Sequence, residues 1–503
     1  MKKLVLARRI SQGLFLLLFI YILWSSTYPL KGLLPPETFF RINPLIVFVA
    51  SVSLRVVLPG LILCVLMLIL TLIFGRFFCG WICPLGSTID IAGALRRKSP
   101  NLTDKLNAKL GKGKFVIMVI IFIFAYFGIQ IAWIFDPMVI MARFVSLNLI
   151  PSVTLSLDKA FSAVIRGFKL YGPLYDFYRA LKTSVLGVRV AYFSHSLVIF
   201  LFFALIISAS GLLKRFWCRL ICPLGAIYAL AARFSLFRRI ISPCVNCKRC
   251  KSLCRMGAIH DDLSYAKGEC VLCMDCIYDC PAHATVFAFA KKAMVEPGAK
   301  NEGAKDGISR KNFLVWLVIS VISFLGFRNR LEGPAAPRAN IIRPPGVENE
   351  DEFLDRCIRC GNCMKVCITN GLQPLLLQQG LSGIWTPHLI PEIGYCEYNC
   401  TLCGNVCPTQ AIPRLSLEQK RQARLGLARI DHALCLPWSK SKDCIVCEEH
   451  CPISDKAIKL KEENIQGRII KKPFVDPALC IGCGICQNKC PVRPERAIKV
   501  ERT

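Results

Sequence analysis

The chain has 503 residues, 54% of them hydrophobic, and a mean hydropathy of +0.47. Lys and Arg outnumber Asp and Glu by 64 to 33, which gives a formal net charge of +31. The basic residues flank apolar stretches and cysteine motifs and do not line one helix with interleaved aromatics, which excludes a nucleic-acid-binding protein. The 29 cysteines recur in closely spaced sets along a long chain, and this is not the framework of a small disulfide-bonded domain.

Apolar stretches up to residue 213 predict an α-helical membrane bundle, because each is about as long as a bilayer crossing requires. The first follows the basic segment Met1–Arg9, which favours a cytoplasmic N-terminus, with a secretory signal peptide as the alternative. The loop Arg76–Lys114 carries eight Lys and Arg residues and is expected in the cytoplasm. We expect Pro137–Arg189 outside, on the membrane surface or as a solvated loop. The four predicted spans are Ile10–Pro29, Leu45–Phe74, Phe115–Phe135 and His195–Leu213.

The sequence contains an internal repeat with an offset of 139 residues, in which Arg76–Gly86 matches Arg215–Gly225. Both copies follow an even-numbered span, so both should lie on the cytoplasmic side. Four thiols at one membrane face suit a further metal or cluster, or a redox thiol pair. The alternative is that Pro84 and Pro223 begin helices and that the cysteines only pack. The two C-x3-C-P motifs thus give a candidate metal site at Cys79, Cys83, Cys218 and Cys222.

Behind the second copy, eight cysteines follow the C-x2-C-x2-C-x3-C run of bacterial two-cluster ferredoxins. In that run three cysteines wrap one 4Fe–4S cluster and the fourth reaches the other cluster, because short steps let three sulfurs point at one cube. A zinc site needs four ligands and does not explain eight cysteines in this register. The predicted ligand sets are Cys244, Cys247 and Cys250 with Cys280, and Cys270, Cys273 and Cys276 with Cys254.

Sixteen more cysteines form four sets and predict four further clusters, hence six 4Fe–4S clusters in all. The last cysteine of each set is expected to ligate the cluster of another set. From the likeness to four-cluster subunits of membrane redox enzymes, we expect a nested exchange, in which the first set exchanges with the fourth and the second with the third. Sequential exchange between neighbouring sets is the alternative. The sets are Cys357, Cys360, Cys363 and Cys367; Cys396, Cys400, Cys403 and Cys407; Cys435, Cys444, Cys447 and Cys451; Cys480, Cys483, Cys486 and Cys490.

Composition along the chain predicts five segments. A polar linker precedes the 15-residue apolar run Phe313–Phe327, which is short for a membrane span. Ser309–Leu314 resembles the twin-arginine export signal, although Lys311 stands where the second arginine is usual. The apolar run is therefore expected to be an export signal or membrane anchor. The alternatives are a plain fifth span and a short cytoplasmic helix. Cys64 is expected to pack as a small hydrophobe. The segments are a membrane domain (1–235), a two-cluster ferredoxin domain (236–290), a linker (291–311), the signal or anchor (312–328) and a four-cluster domain (329–503), both ferredoxin-type domains being α+β.

Two parts of the chain resemble known families. The first 290 residues are similar to the NapH/NosR/CcoG group of membrane ferredoxins through Phe78–Pro84, Trp217–Pro223 and the ferredoxin run behind them. The last part, about 160 residues, resembles the NapG/MauM group of periplasmic ferredoxins, so the chain resembles a NapH–NapG fusion. The motifs that carry the second likeness are Arg343–Gly346, Cys357–Gly361, Tyr395–Gly404 and Cys444–Pro452.

This resemblance implies electron transfer. In the family the membrane part takes electrons from quinol, and the periplasmic part passes them to a reductase or another redox partner. The resemblance equally implies an alternative, an assembly factor that reduces a metal or cofactor of another enzyme during maturation. The expected location is the bacterial inner membrane, with several spans, the two-cluster domain in the cytoplasm and the four-cluster domain in the periplasm.

Quinol oxidation needs a proton acceptor near the membrane surface. Asp136 ends the third predicted span and His195 begins the fourth, so both should face outward and are the candidate catalytic residues. The alternative for each is a helix-end residue that meets lipid headgroups.

Overall fold

The computed structural model describes residues 2–28, 30, 32, 34–54, 60–95, 110–169, 171–182, 191–241, 244–289, 318, 341–465 and 467–502. Packing divides the chain into two compact units that interleave along the sequence. The first unit comprises Met1–Leu23, Leu34–Phe144 and Leu197–Arg330, and the second comprises Trp24–Leu33, Val145–Ser196 and Leu331–Thr503.

The first unit begins with helices that are apolar on most of their surface. The longest, Lys2–Ser25, has 24 residues and no Pro or acidic residue inside it. Gly75, in the left-handed region at φ 86, ends the helix Leu61–Phe74, since glycine adopts that conformation without steric cost. The other helices are Thr38–Arg41, Pro44–Leu54, Phe78–Trp81, Pro84–Leu95, Gly113–Tyr126, Ala132–Phe135, Pro137–Phe144, Ser196–Leu212, the π-helix Trp217–Ile221 and Pro223–Ala232.

The two-cluster cysteine run lies in the α+β part of the first unit. The strands Phe237–Ile241 and Thr285–Phe289 pair antiparallel, with Ile240 opposite Val286, and bring the two ends of the run together. Between them lie the short helices Arg249–Leu253 and Asp275–Tyr278 and the 3-10 turn Lys267–Glu269. This is the ferredoxin-type architecture predicted from the cysteine spacing.

The second unit contains an apolar helical part and a cysteine-rich α+β part. Its helical part is the π-helix Val145–Leu149 followed by the helices Ile150–Phe168 and Pro173–Leu181. Its cysteine-rich part has three two-stranded antiparallel sheets, Leu372–Pro374 with Pro387–Leu389, Leu427–Ile430 with Ile498–Glu501, and Ile458–Ile465 with Arg468–Val475. The short helices around them are Glu350–Arg356, Asn362–Lys365, Leu402–Asn405, Leu417–Gln422, Leu436–Ser439, Val446–Glu449 and Ile485–Lys489.

Membrane-spanning length is reached by two helices in the described part of the chain, Lys3–Ser25 and Pro137–Phe168. The first matches the first predicted span. The predictions for the second, third and fourth spans correspond to shorter helices, such as Gly113–Tyr126 with 14 residues, against about 17–25 needed for a crossing. The four-span prediction is therefore supported only in part, and the fifth apolar stretch lies outside the described residues.

The stretch after residue 137, expected on the membrane surface or as a solvated loop, is helical. Pro137–Phe168 forms one apolar helical run of 32 residues, in which Val145–Leu149 is a π-helical turn. Pro137 stands at the first position of this run, and Pro151 follows the π turn, so both prolines sit where a missing N–H is tolerated.

Candidate iron–sulfur site

Four cavities in the described cysteine-rich part of the second unit are each lined by four cysteines. The space free of atoms, including the part open to solvent, measures ≈ 330 Å³ in the smallest and ≈ 420 Å³ in the largest. The tetrads are Cys357, Cys360, Cys363 and Cys407 in the first cavity; Cys367, Cys396, Cys400 and Cys403 in the second; Cys451, Cys480, Cys483 and Cys486 in the third; Cys435, Cys444, Cys447 and Cys490 in the fourth.

These tetrads correct the expected exchange of fourth cysteines. Nesting of the first set with the fourth is wrong, and the exchange is sequential. Cys407 joins the three leading cysteines of the first set, and Cys367 joins those of the second. Cys451 and Cys490 exchange in the same way between the last two sets.

The cysteine loops share a backbone shape that explains how three thiols converge. In four of the sets, the residues two and four positions after the first cysteine have positive φ. This conformation turns successive N–H groups to one side of the loop and makes a concavity suited to an anionic group. The residues are Asn246 and Lys248, Leu272 and Met274, Arg359 and Gly361, and Gly482 and Gly484.

Backbone N–H groups also donate to cysteine sulfurs. Such bonds stabilise the anionic sulfur of a cluster and tune its reduction potential. They run from Ala258 to Cys254 (3.2 Å), from Leu272 to Cys270 (3.4 Å), from Ile412 to Cys407 (3.4 Å) and from Ala428 to Cys480 (3.5 Å).

The burial of the thiols indicates what they bind. Burial raises the pKa of Cys396 to about 11 and that of Cys447 and Cys483 to about 12. The thiolate is the form that ligates metal, and in an apolar cavity it needs a cation to stabilise it. Cysteine tetrads that are buried in this way therefore fit iron–sulfur clusters better than free thiols.

In the first unit, Cys254 lies with the second set of the two-cluster run. Besides burial, which dominates, the charge of Cys254 contributes to raising the pKa of Cys270, Cys273 and Cys276. This grouping agrees with the exchange predicted from the spacing. Cys244 and Cys247 are exposed, and their grouping with Cys280 stays a prediction.

The C-x3-C-P cysteines are all buried and lie close together. Burial is the largest cause that raises the pKa of Cys222, and the charges of Cys218, Cys79 and Cys83 add to it. The two copies of the repeat thus bring their thiols into one place. Within the described residues, no three His, Cys, Asp or Glu side chains are arranged to bind a single metal ion.

The candidate quinol residues have different surroundings. The Oδ1 of Asp136 accepts hydrogen bonds from the backbone N–H groups of Met138 and Val139, both at 2.9 Å, and its Oδ2 accepts one from Asn43 Nδ2 at 2.7 Å. Asp136 is fully buried, so it does not face outward as expected, and its carboxylate caps the helix that follows. His195 is exposed, with φ 61, directly before the helix Ser196–Leu212.

Sequence reasoning missed three polar residues that the fold places beside cysteines. Tyr228, Arg343 and Lys365 are buried, and Lys365 lies between the ligand candidates Cys363 and Cys367. Lys365 Nζ donates to the carbonyl oxygens of Trp24 (3.2 Å) and Ser26 (3.0 Å) at the end of the helix Lys2–Ser25. A lysine inside a cysteine motif was the available signal, because a buried lysine needs partners.

Comparisons with known proteins agree with this chemistry. A family described as "4Fe-4S binding domain" matches residues 56–102 and again 196–243, and one described as "4Fe-4S dicluster domain" matches residues 440–493. The first of these covers both copies of the C-x3-C-P repeat.

Similar whole proteins include ferredoxin-type proteins. The methylamine utilization ferredoxin-type protein MauM of Methylorubrum extorquens is 34% identical over 186 residues, which cover 36% of this chain and 82% of MauM. The ferredoxin-type protein NapG of Escherichia coli is 34% identical over 208 residues, 40% of this chain and 88% of NapG. An uncharacterized protein of Methanocaldococcus jannaschii is 26% identical over 300 residues, 58% of this chain and 99% of that protein. No solved structure matches.

Proposed function

Because the chain belongs to the family of ferredoxin-type proteins that includes MauM and NapG, we propose that it is a membrane-bound iron–sulfur electron carrier that moves electrons from quinol to a redox partner outside the cytoplasm. The two long apolar helices and the shorter ones around them support attachment to a membrane. The NapH-like character of the first 290 residues, and hence the fusion, is part of this proposal.

In this proposal 24 cysteines hold six 4Fe–4S clusters. Each cysteine-lined cavity of the second unit takes one cluster, with the sequential exchange described above. The first unit takes two, one on Cys270, Cys273, Cys276 and Cys254, and one on Cys244, Cys247, Cys250 and Cys280.

The observation that carries the proposal is that the four cavities form a series. Cys363 lines the first cavity and Cys367 the second, and the two cysteines lie four positions apart, which is about 6 Å at the rise of a helix. The second cavity meets the third where the N–H of Cys396 donates to the carbonyl of Cys483 at 2.9 Å. Cys486 and Cys490 link the third cavity to the fourth. Clusters in such a row suit stepwise electron transfer.

One end of this series lies beside apolar helices of the same unit. Gly361, next to Cys360, packs so closely on Leu147 that an added Cβ would lie 3.0 Å from its Cγ. Ser146 Oγ donates to Asn362 Oδ1 at 3.4 Å, and Lys365 Nζ donates to the carbonyl of Trp24, a residue of the same unit, at 3.2 Å. The first cavity therefore suits the input end of the series, and the fourth cavity suits the output.

One quinol would release two electrons and two protons and become quinone, and clusters held by the cysteine tetrads would supply two one-electron acceptors. The proton acceptors in this proposal are Asp136 and His195, and a redox protein outside the cytoplasm takes the electrons from the last cluster.

The test is anaerobic reduction of the clusters by quinol in membranes, followed by cluster absorbance. We expect quinol to reduce the wild-type clusters, and Asp136→Asn with His195→Ala to slow reduction by quinol but not by dithionite. A chain whose clusters respond to dithionite and never to quinol would contradict the quinol donor. An unchanged rate in the double variant would contradict the two acceptors alone.

A further inference from the structure

The two copies of the C-x3-C-P repeat are bound to each other by a reciprocal pair of arginines. Arg76, from the first copy, donates from Nη2 to the carbonyl of Cys218 in the second copy at 3.1 Å. Arg215, from the second copy, donates from Nη1 to the carbonyl of Cys79 in the first copy at 3.1 Å. Both arginines are buried. Each motif therefore binds the other in the same way, as expected for an internal repeat.

Glycines make this exchange possible. A Cβ on Gly225 would lie 2.2 Å from Nη2 of Arg76, and a Cβ on Gly86 would lie 2.9 Å from the carbonyl oxygen of Cys79. These glycines are the last residues of the two matching eleven-residue segments. Gly225 leaves room for Arg76 of the other copy, and Gly86 leaves room for the Cys79 carbonyl of its own copy, which accepts the hydrogen bond from Arg215.

Polar groups point at the four thiols. Arg76 Nε donates to the sulfur of Cys79 at 3.3 Å, and the N–H of Gly225 donates to the sulfur of Cys222 at 3.3 Å. The Tyr228 hydroxyl is completely buried, has no hydrogen-bond partner, and lies close enough to Cys79 and Cys83 to interact with their charges. A buried hydroxyl without a partner lowers stability unless something accepts its hydrogen bond.

Buried cations lie beside the thiols. Arg76 interacts with the charge of Cys79 and Arg215 with that of Cys218, and the two arginines also form ion pairs with Glu269 and Asp90 respectively. A 4Fe–4S cluster with four thiolates carries about two negative charges when oxidised. Buried cations beside the thiols therefore suit an anionic cluster.

The same site touches the ferredoxin run of the first unit. Gly80 approaches the carbonyl of Val271 so closely that an added Cβ would lie 2.1 Å from its oxygen. Trp81 Nε1 donates to the carbonyl of Leu272 at 3.0 Å. Val271 and Leu272 lie in the cysteine loop between Cys270 and Cys273, so the C-x3-C-P site borders a proposed cluster directly.

We propose that Cys79, Cys83, Cys218 and Cys222 together hold one further 4Fe–4S cluster, shared by the two copies of the repeat, with the Tyr228 hydroxyl donating a hydrogen bond to it. The family match covers both copies, but each copy supplies only two cysteines, so a cluster with four thiolate ligands requires both. Tyr228 is a positioning residue that stabilises the reduced cluster, since a donated hydrogen bond favours added negative charge.

The first test is the iron and acid-labile sulfide content of anaerobically purified full-length protein. Seven clusters predict about 28 iron atoms per chain, and Cys79→Ala with Cys218→Ala should lower the value to about 24. Cys64→Ala, another buried cysteine of the same unit, is the matched control and should leave the content unchanged. A wild-type value of about 24 with an unchanged double variant would overturn the shared cluster. Zinc in place of the extra iron would do the same.

The second test does not depend on the double variant folding. Tyr228→Phe removes one hydroxyl and no ligand, so the iron content should stay at about 28. In an EPR-monitored redox titration, one cluster signal should shift to a lower potential while the others stay in place. If every cluster signal of Tyr228→Phe titrates at the same potential as in the wild type, the proposed role of Tyr228 is wrong. These outcomes are independent of quinol and of the six other clusters.

Discussion

At the scale of single residues, the position of each fourth cysteine decides which clusters neighbour each other. Cys367 follows Cys363 in sequence but lines the cavity of the next set. The local spacing is nearly the same in every set, so it does not encode the exchange partner. The contact between Cys396 and Cys483, which are far apart in sequence, belongs to the tertiary fold that fixes the partner.

Sequential exchange predicts how cysteine substitutions combine. Cys367→Ala and Cys396→Ala remove ligands of one cluster, so the double variant should lose about four iron atoms, no more than either single variant. Cys367→Ala with Cys480→Ala should lose about eight, because these cysteines belong to different cavities. Iron analysis checks both pairs. Nested exchange predicts the opposite results, about eight for the first pair and about four for the second.

Glu350 illustrates how charge is fixed in the four-cluster part. Burial alone would raise the pKa of Glu350, but hydrogen bonds and charge from Arg343, with help from Arg502 and Gln379, lower it to about 2 from 4.5. The bonds from Arg343 Nε and Nη2 to Glu350 Oε1 measure 3.0 and 2.6 Å. Arg343 is the arginine of the Arg343–Gly346 motif, so this motif has a structural role.

The sign of the pH effect follows from the lowered pKa. Ionised Glu350 stabilises the fold fully above its unfolded pKa, near 4.5, and the contribution disappears as the pH falls towards 2. We expect Glu350→Gln to lower stability by about 2 kcal/mol between pH 8 and pH 5.5, a value discounted for partial exposure. Below about pH 4.5 the gap to wild type should narrow.

Thermal unfolding of the anaerobic protein across this pH range is the measurement. Exposed Glu392, changed to Gln, is the control and should unfold like the wild type throughout. If the stability difference between Glu350→Gln and the wild type widens as the pH falls, the lowered pKa of Glu350 would be contradicted.

At the scale of elements, close backbone contact holds the repeat on the ferredoxin run. Replacing Gly80 with Ala puts a Cβ 2.1 Å from the Val271 oxygen, so the backbone must shift. We expect Gly80→Ala to lower the free energy of unfolding by about 1–3 kcal/mol. Gly93→Ala is the matched control, because nothing lies within 4 Å of its Cβ, and it should be neutral or slightly stabilising. Equal unfolding midpoints for the two variants would contradict the contact.

The elements also show what sequence patterns could and could not predict. The cysteine spacing predicted the ferredoxin-type parts because ligand geometry is local. The helix Pro137–Phe168 was missed because its prolines, Asp158 and Lys159 are typical of a loop. The π turn at Val145–Leu149 lets the chain continue past Pro151 as a helix, and no periodicity in the sequence signals such a turn.

The same limit applies to the shared site. The repeat placed four cysteines in two equal motifs, and from this a metal site could be inferred. Tyr228 lies in the apolar helix Pro223–Ala232, where sequence alone predicts that its aromatic ring packs in the core. Only its burial without a hydrogen-bond partner, beside Cys79 and Cys83, marks it as a polar contact for the site.

At the scale of the whole molecule, the proposed direction of electron flow requires that the four-cluster part lies outside the cytoplasm. Its export signal in our proposal is Ser309–Leu314 with the apolar run behind it, which lies outside the described residues. Clusters are inserted where iron and sulfide are supplied, and ligation is coupled to folding. A route that threads an unfolded chain would deliver sixteen bare thiols of this part to an oxidising space. Export of the folded, loaded domain avoids that outcome.

This reasoning predicts the result of a protease-accessibility assay on spheroplasts. An epitope placed after Thr503 should be cleaved from outside in the wild type, while one placed before Met1 should stay protected. Arg310→Ala with Lys311→Ala removes the positive charge that precedes the apolar run and that fixes this end inside. In this variant the epitope after Thr503 should become protected, with the iron content unchanged. Protection of the same epitope in the wild type would place every cluster in the cytoplasm, and electron transfer to an outer partner would then be impossible.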